Sequence, residues 1–325
     1  MTETPCLSVV IPVYNEESNV EPLHAEIRAA LSGLGHGYEI LYVDDGSLDR
    51  TQEKLRAICA GDPHVKVIVF RRNFGQTAAL SAGFNHARGQ IVITMDADLQ
   101  NDPADIPKLI EKLGEGYDIV SGWRYQRKDP FFRRRVPSIM ANVLISLTTK
   151  VKLHDYGCTL KAFRSEVVKN IRLYGEMHRF IPAVASWMGV NVAEVRVNHR
   201  KRKFGRSKYG LGRTVRVVLD LITVKYFLSY LGRPIHIFGT IGLATSSVGV
   251  LLGAYLSYRK LICDESIGNR PLLLLAVLLI FMGVQFITSG LLAEIQARTY
   301  HESVDRQIYV IREVIEGQRS TDRPV

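Results

Sequence analysis

Over residues 5–125 the apolar positions come in short unbroken runs, separated by longer segments in which they recur at helical spacing. Residues 7–13 (LSVVIPV), 39–43 (EILYV), 65–70 (VKVIVF), 91–95 (IVITM) and 118–122 read as strands. Between them, residues 16–34 place Val20, Leu23, Ile27, Ala30, Leu31 and Leu34 on one helical face, residues 51–60 are helical, and residues 77–88 form a helix of small residues. Strands that are continuously apolar and alternate with helices predict an α/β fold whose sheet is mostly parallel and covered on both faces. Such a sheet takes its ligand beyond the carboxyl ends of its strands. The polar motifs of this chain fall at those ends.

The last third reads differently. Residues 235–258 and Pro271–Ala293 hold no Asp, Glu, Lys or Arg. At ~1.5 Å per residue each is long enough to cross a hydrocarbon core of ~30 Å, although a buried core helix passes the same length test. The chain is therefore divided into a catalytic domain at 1–210, an amphipathic juxtamembrane helix at 211–233, a first span at 234–258, a short external loop at 259–270, a second span at 271–293 and an internal tail at 294–325. In the juxtamembrane segment Val215, Val218, Leu219, Ile222 and Tyr226 share a face, and the reading is a helix lying in the membrane interface. Residues 136–151 show a weaker version of the pattern, equally suited to an ordinary packed helix. Residues 307–314 (QIYVIREV) have strand character and are expected to pair with a neighbour's sheet edge, in a homo-oligomer of up to four copies.

Charge refines this picture. The net charge is +10, with a pI of about 9.4, and it is clustered. Residues 200–233 carry ten Lys or Arg and one acid, and residues 124–135 carry six and one. A basic run is commonly a solvated helix face. Here one run abuts an apolar span, which points to anionic lipid or a phosphorylated substrate; charge alone suggests nucleic acid, and the two spans argue against it. The basic flank before the first span and the charged tail after the second place both ends inside, with the multi-pass chain in the cell's inner (plasma) membrane and the catalytic domain cytoplasmic. Four cysteines without CxxC or metal spacing, and no signal-peptide pattern, fit a reducing compartment.

The chemistry begins at Asp96-Ala97-Asp98-Leu99-Gln100. Two carboxylates one residue apart at the end of a strand suit Mg2+ or Mn2+, hard cations that bridge diphosphate oxygens, with Gln100 as a further oxygen. A bare DxD is weak evidence, and its place after an apolar strand strengthens it. Asp44-Asp45-Gly46-Ser47, with Asp49 and Thr51, also closes a strand. Capping explains Ser47 or Asp49, while a carboxylate there can accept from the ring N–H of a base. Pro12, Tyr14 and Glu16 close the first strand at the same sheet edge.

In order, VVIPVYNEE, VDDGSLDRT, RNFGQTAALSAGF, MDADLQNDP and DYGCTLKAFR resemble the family 2 glycosyltransferases, inverting enzymes of GT-A (Rossmann-like) fold. Within them the whole chain, spans included, is similar to the polyprenyl-phosphate glycosyltransferases, such as bactoprenol glucosyltransferases and dolichyl-phosphate mannose synthases. The resemblance implies that Pro12, Tyr14, Glu16 and Asp45 bind the nucleotide, and that Asp96, Ala97 and Asp98 meet the diphosphate and metal. It places Arg124, Arg202 and Lys208 near the sugar and phosphates, and gives Asp155, with Asp98, the catalytic position. A lipid monophosphate has a second pKa near ~6 and is already largely a dianion at neutral pH, so it scarcely needs a base. Asp155 is therefore expected to position the acceptor or the sugar hydroxyls, while Arg133, Arg134, Arg135, Arg202 and Lys208 attract the phosphate. His154 beside it is expected to be structural.

The implied reaction moves a hexose from a nucleotide sugar to polyprenyl phosphate at the bilayer, with UDP-glucose the first choice of donor and GDP-mannose, UDP-galactose and modified aminosugars as alternatives. A processive polysaccharide synthase would carry a Q-x-x-R-W motif, which is lacking. A non-catalytic membrane scaffold that binds a nucleotide sugar is the reading from another class, and intact DxD and R-x-x-G-x-S-K residues argue against it.

Overall fold

The computed structural model describes residues 5–125, 153–171, 173, 177–200, 235–262, 271–303 and 308–317. They divide into two units, residues 1–224 with 307–325, and residues 225–306. The first is built on one sheet with strand order β7-β5-β6-β4-β1-β2-β3-β8. Its strands are β1 (Leu7–Val13), β2 (Tyr38–Asp44), β3 (Val65–Phe70), β4 (Ile91–Thr94), β5 (Ile119–Trp123), β6 (Lys161–Arg164), β7 (Val192–Arg196) and β8 (Ile311–Glu316).

The five strands expected from apolar runs are present. β1 pairs in parallel with β2 on one side and β4 on the other, and β2 pairs in parallel with β3. Helices α1 (Val20–Ser32), α2 (Thr51–Gly61), α3 (Gln76–His86) and α4 (Ile106–Gly114) supply the crossovers. α1 buries Val20, Leu23, Ile27 and Leu31, and α4 buries Ile106, Leu109 and Leu113, in one core with Val9, Ile11, Ile40 and Val67. Each such side chain contributes about 1.5–3 kcal/mol on burial. α1 starts at Val20 rather than at residue 16, because Glu16 and Glu17 give their backbone N–H groups to Thr51 Oγ1 (2.9 Å) and Asp49 Oδ2 (3.3 Å) in the next loop.

Two strands were not expected. β6 pairs antiparallel with both β4 and β5, and β7 pairs in parallel with β5, so the sheet is mixed. α5 (Ser165–Asn170) follows β6 directly, and α6 (Ile181–Ala185) lies between the short turns at Met177–Phe180 and Ser186–Met188. The tail differs from the expectation of pairing with a neighbouring copy: β8 lies antiparallel to β3 of its own chain. Tyr309, just before β8, stacks on Phe70 with 5.1 Å between ring centroids and receives a hydrogen bond from Asn85 Nδ2 (2.8 Å). These contacts satisfy the tail locally and cover the β3 edge.

The second unit is a helical hairpin of α7 (Ile235–Leu261) and α8 (Pro271–Ser303). Both hold a stretch long and apolar enough to cross a membrane, and most side chains there are exposed rather than core. The helices approach through small residues. A Cβ on Gly283 would stand 2.5 Å from the Gly242 carbonyl oxygen, and one on Gly249 2.8 Å from that of Ala276. The segments 136–151 and 211–233 read as amphipathic lie outside the described residues.

Tyr309→Ala should destabilise the sheet unit by about 3 kcal/mol through the lost stacking and hydrogen bond. Denaturant unfolding of the purified chain measures it; a loss below a few tenths would mean that β8 is not held this way.

Candidate active site

Because β1 is flanked by β2 and β4 while the chain runs β1-β2-β3 in one direction, the strand order reverses between β1 and β4. A crevice forms at the carboxyl ends on either side of such a switch. β1 delivers Pro12, Tyr14 and Glu16 there, β2 delivers Asp44 and Asp45, and β4 delivers Asp96 and Asp98; Pro12, Tyr14, Glu16, Asp96 and Asp98 are partly exposed.

The loops after β1 and β2 are stitched together. Asn15, at a φ of 53°, accepts from the Leu48 N–H through Oδ1 (2.8 Å), and its own N–H donates to Ser47 Oγ (2.9 Å). Asp45 does not stand free in the crevice. Its two oxygens accept the Phe74 and Gly75 N–H groups at 2.7 and 2.9 Å, holding the loop that starts α3. Gly46 takes a φ of 71°, and a Cβ there would lie 2.5 Å from the Arg72 carbonyl carbon, so only glycine suits this approach. Asp44 binds Ser47 through Oδ1, while its buried Oδ2 has no partner among the described residues. Burial pushes both carboxyls up, against the hydrogen bonds each accepts.

In the DxD turn Leu99 adopts a φ of 60°, unusual for a bulky residue, and is held there by full burial. The turn places Ala97 in the core and leaves Asp96 and Asp98 toward the crevice; Asp98 Oδ1 accepts the Gln100 N–H at 3.1 Å. Asp96 accepts from Gln76 Nε2 at 2.7 Å and from the Thr159 hydroxyl. Its carboxyl is pushed up to about 6, first by burial and then by the charge of Asp98, against the Thr159 bond and the nearby Arg124 and Lys161 charges. Gln100 is fixed through its backbone, its carbonyl accepting the Arg200 N–H at 2.9 Å.

Arg124, one residue past β5, forms a two-pronged pair with buried Asp155: Nε to Oδ2 at 2.6 Å and Nη2 to Oδ1 at 2.9 Å. Burial would lower the Arg124 pKa, but its bonds to Asp155 raise it overall, so the guanidinium stays charged. Glu194 Oε1 accepts the Asp155 N–H at 3.0 Å, and Glu194 also holds His154, whose ring stacks on Trp123. These contacts fix the His154 ring in place.

Four neighbours were not singled out from sequence. Gln76, Thr159, Lys161 and His178 line the same recess as Asp96, and Thr77 Oγ1 meets His178 Nδ1 at 2.8 Å. Lys161 is buried and donates to the Tyr156 and Cys158 carbonyls; burial lowers its pKa. Gln76 and Lys161 sit inside quoted motifs but carry no spacing signal. Arg133, Arg134, Arg135, Arg202 and Lys208 lie outside the described residues.

The profile of glycosyl transferase family 2 matches residues 8–172, and that stretch contains this crevice. The chain belongs to glycosyl transferase family 2. This family 2 member is 44% identical over 316 residues to the dodecaprenyl-phosphate galacturonate synthase of Rhizobium johnstonii, covering 96% of this chain and 94% of that one. It is 38% identical over 314 residues to the undecaprenyl-phosphate 4-deoxy-4-formamido-L-arabinose transferase of Shewanella sediminis, covering 96% and 93%. Among solved structures, the glucosyl-3-phosphoglycerate synthase of Mycobacterium tuberculosis, in complex with Mn2+, UDP and phosphoglyceric acid, superposes with a TM-score of 0.54 at 22% identity, covering 68% of this chain and 78% of that one. That likeness shows the GT-A fold of the family 2 glycosyltransferase.

A folded-state pKa above the unfolded value means that ionised Asp96 opposes folding. The penalty is absent below 3.8, grows as pH rises and is complete above about 6. Asp96→Asn should therefore stabilise the metal-free protein at neutral pH by on the order of 1–3 kcal/mol, the gain shrinking as pH falls through about 6. Thermal unfolding in chelator checks it, and an unchanged or lower midpoint at neutral pH would contradict the charge crowding.

Proposed function

We propose that this chain transfers a sugar from a nucleoside-diphosphate donor to polyprenyl phosphate at the membrane surface. The observation that carries the reading is that similarity to two polyprenyl-phosphate transferases extends over 96% of the chain, apolar helices included, and not only over the sheet domain. Pro12, Tyr14 and Glu16 line the nucleotide, and Asp45 shapes that side by fixing the loop at residues 74–75. An oxygen lone pair on Asp45 remains open to a base N–H in addition to the backbone it holds.

Two crowded carboxylates, one of them with its pKa raised by burial and then by the charge of the other, form a hard-oxygen donor set that suits a divalent cation. Asp96 and Asp98, with Gln100, would hold Mg2+ or Mn2+, which when bound offsets the charge of the departing diphosphate. Arg124, aimed by Asp155, adds fixed positive charge beside Asp96. With both Asp155 oxygens engaged by Arg124, this carboxylate serves as a positioning group rather than a base. The acceptor phosphate attacks the anomeric carbon from the face opposite the leaving group and inverts its configuration. Arg133, Arg134, Arg135, Arg202 and Lys208 attract that phosphate.

The donor is taken to carry galacturonic acid before the glucose suggested by sequence, because the relative at 44% identity is named for galacturonate. α7 and α8 cross the bilayer as a pair. The chain leaves the sheet unit to form them and returns to the same sheet as β8, which supports placing both outer ends on the side that holds the site, the cytoplasmic one.

A screen of UDP-galacturonate, UDP-glucose, UDP-4-deoxy-4-formamido-L-arabinose and GDP-mannose, with purified protein, Mn2+ or Mg2+ and a short polyprenyl phosphate, tests the reading. Transfer from one UDP-sugar is expected, reduced about 10²–10³-fold by Asp98→Ala. No transfer from any donor would restore the scaffold reading, and transfer indifferent to Asp98→Ala would overturn the metal assignment.

A further inference from the structure

Gln285 is the fifteenth residue of the apolar span Pro271–Ala293, and its side chain is exposed on the surface of α8. At ~1.5 Å per residue it stands ~21 Å from Pro271 and ~12 Å from Ala293, well inside a hydrocarbon core of ~30 Å. A carboxamide there has two N–H donors and one carbonyl to satisfy, and hydrocarbon offers nothing to either. Among the described residues nothing bonds this amide. The nearby Thr288 hydroxyl gives its proton to the Val284 and Gln285 backbone carbonyls, at 3.1 and 3.0 Å.

The amide is not isolated on its face. Leu278, Phe281, Gln285, Thr288 and Leu292 are all exposed and follow one another at steps of three, four, three and four. That is the spacing of the seam of a left-handed helix pair, whose knobs repeat every 3.5 residues, with one amide at its central position. The opposite face of α8 is spent on α7, through Ala276 and Gly283.

We propose that this seam packs against the same seam of a second copy of the chain, with the two Gln285 amides hydrogen-bonded across the contact. An amide is donor and acceptor at once, so it complements its own copy in an isologous contact. Lipid tails and the hydrocarbon of a polyprenyl acceptor have neither group. The flanking Leu278, Phe281 and Leu292 supply packing, and the amide pair fixes the register, as buried amides do in coiled coils. The inference rests on the reading of α8 as a membrane span.

The test uses the full chain in lipid bilayers. Association is followed by energy transfer between labelled copies, and Gln285→Leu is expected to raise the dissociation constant about three- to tenfold. In parallel, Thr288→Cys on the seam should form a disulfide-linked dimer on mild oxidation, while Val284→Cys, also exposed but off the seam, should not, with the parent chain as blank. An unchanged dissociation constant, equal crosslinking at the two positions, or a parent chain that stays monomeric would overturn the contact. Transfer lost in Gln285→Leu with association intact would assign the amide to another occupant and overturn it too. Release of the chain by alkaline carbonate would sink the spanning reading itself, whereas a chain that resists extraction and still fails these tests sinks only the contact.

Discussion

β1 pairs in parallel with β2 on one side and β4 on the other, and the rest of the site depends on that arrangement. With Val13 level with Asp44, and Val10 level with Thr94, three strand ends open on one crevice. Their polar ends cannot hydrogen-bond to the ladder and must be satisfied by one another. This is why Asn15, Glu16 and Glu17 are tied to Ser47, Thr51 and Asp49, and why Asp45 reaches across to the β3–α3 loop. A displaced strand would therefore loosen the nucleotide side and the DxD side together.

Electrostatics sets the second constraint. Asp96, Asp98 and Asp155 bring three carboxylates to one partly desolvated place, and among the described residues Arg124 and Lys161 balance them only in part. The Arg124–Asp155 pair is closed and two-pronged, so it acts as a fixed charge pair that ties the end of β5 to the segment leading into β6. Asp96 and Asp98 carry the remaining crowding, in a turn that also holds Leu99 in a strained conformation. Strain and like-charge crowding at one turn favour an arrangement selected for binding rather than for stability.

The five apolar strands and the two long helices were legible because each buries or exposes a continuous surface that one period describes. β6 (KAFR) and β7 (VAEVR) were not: each is short and mixes charge with apolar residues, and each is held by pairing to distant strands. The same holds for the site. Asp96 and Asp98 announce themselves by motif and strand end, and Arg124 through the family resemblance. Lys161 and His178 reach the Asp96 recess only through the folding of β6 and of the turn at Met177–Phe180, which no local pattern foretells. Asp45 was found for its position, but its two backbone partners arise from a loop that lies 29 and 30 residues away. The return of the chain as β8 was read as a strand and assigned to another copy, since a sequence shows that an edge pairs without showing whose.

The two units meet one chemical need. A polyprenyl phosphate keeps its tail in the bilayer and presents only its phosphate, so the enzyme must hold a soluble donor at that surface. In the proposed reading the sheet supplies the donor site, the helical hairpin supplies residence, and no base is required. The most direct test of that last claim is the pH dependence of transfer by the parent enzyme and by Asp155→Asn. The predicted result is slower transfer with the same acid limb, because that limb belongs to the acceptor phosphate, whose second pKa is near ~6. An acid limb that disappears once residue 155 can no longer ionise would show that Asp155 takes the acceptor's proton, and would contradict the positioning role.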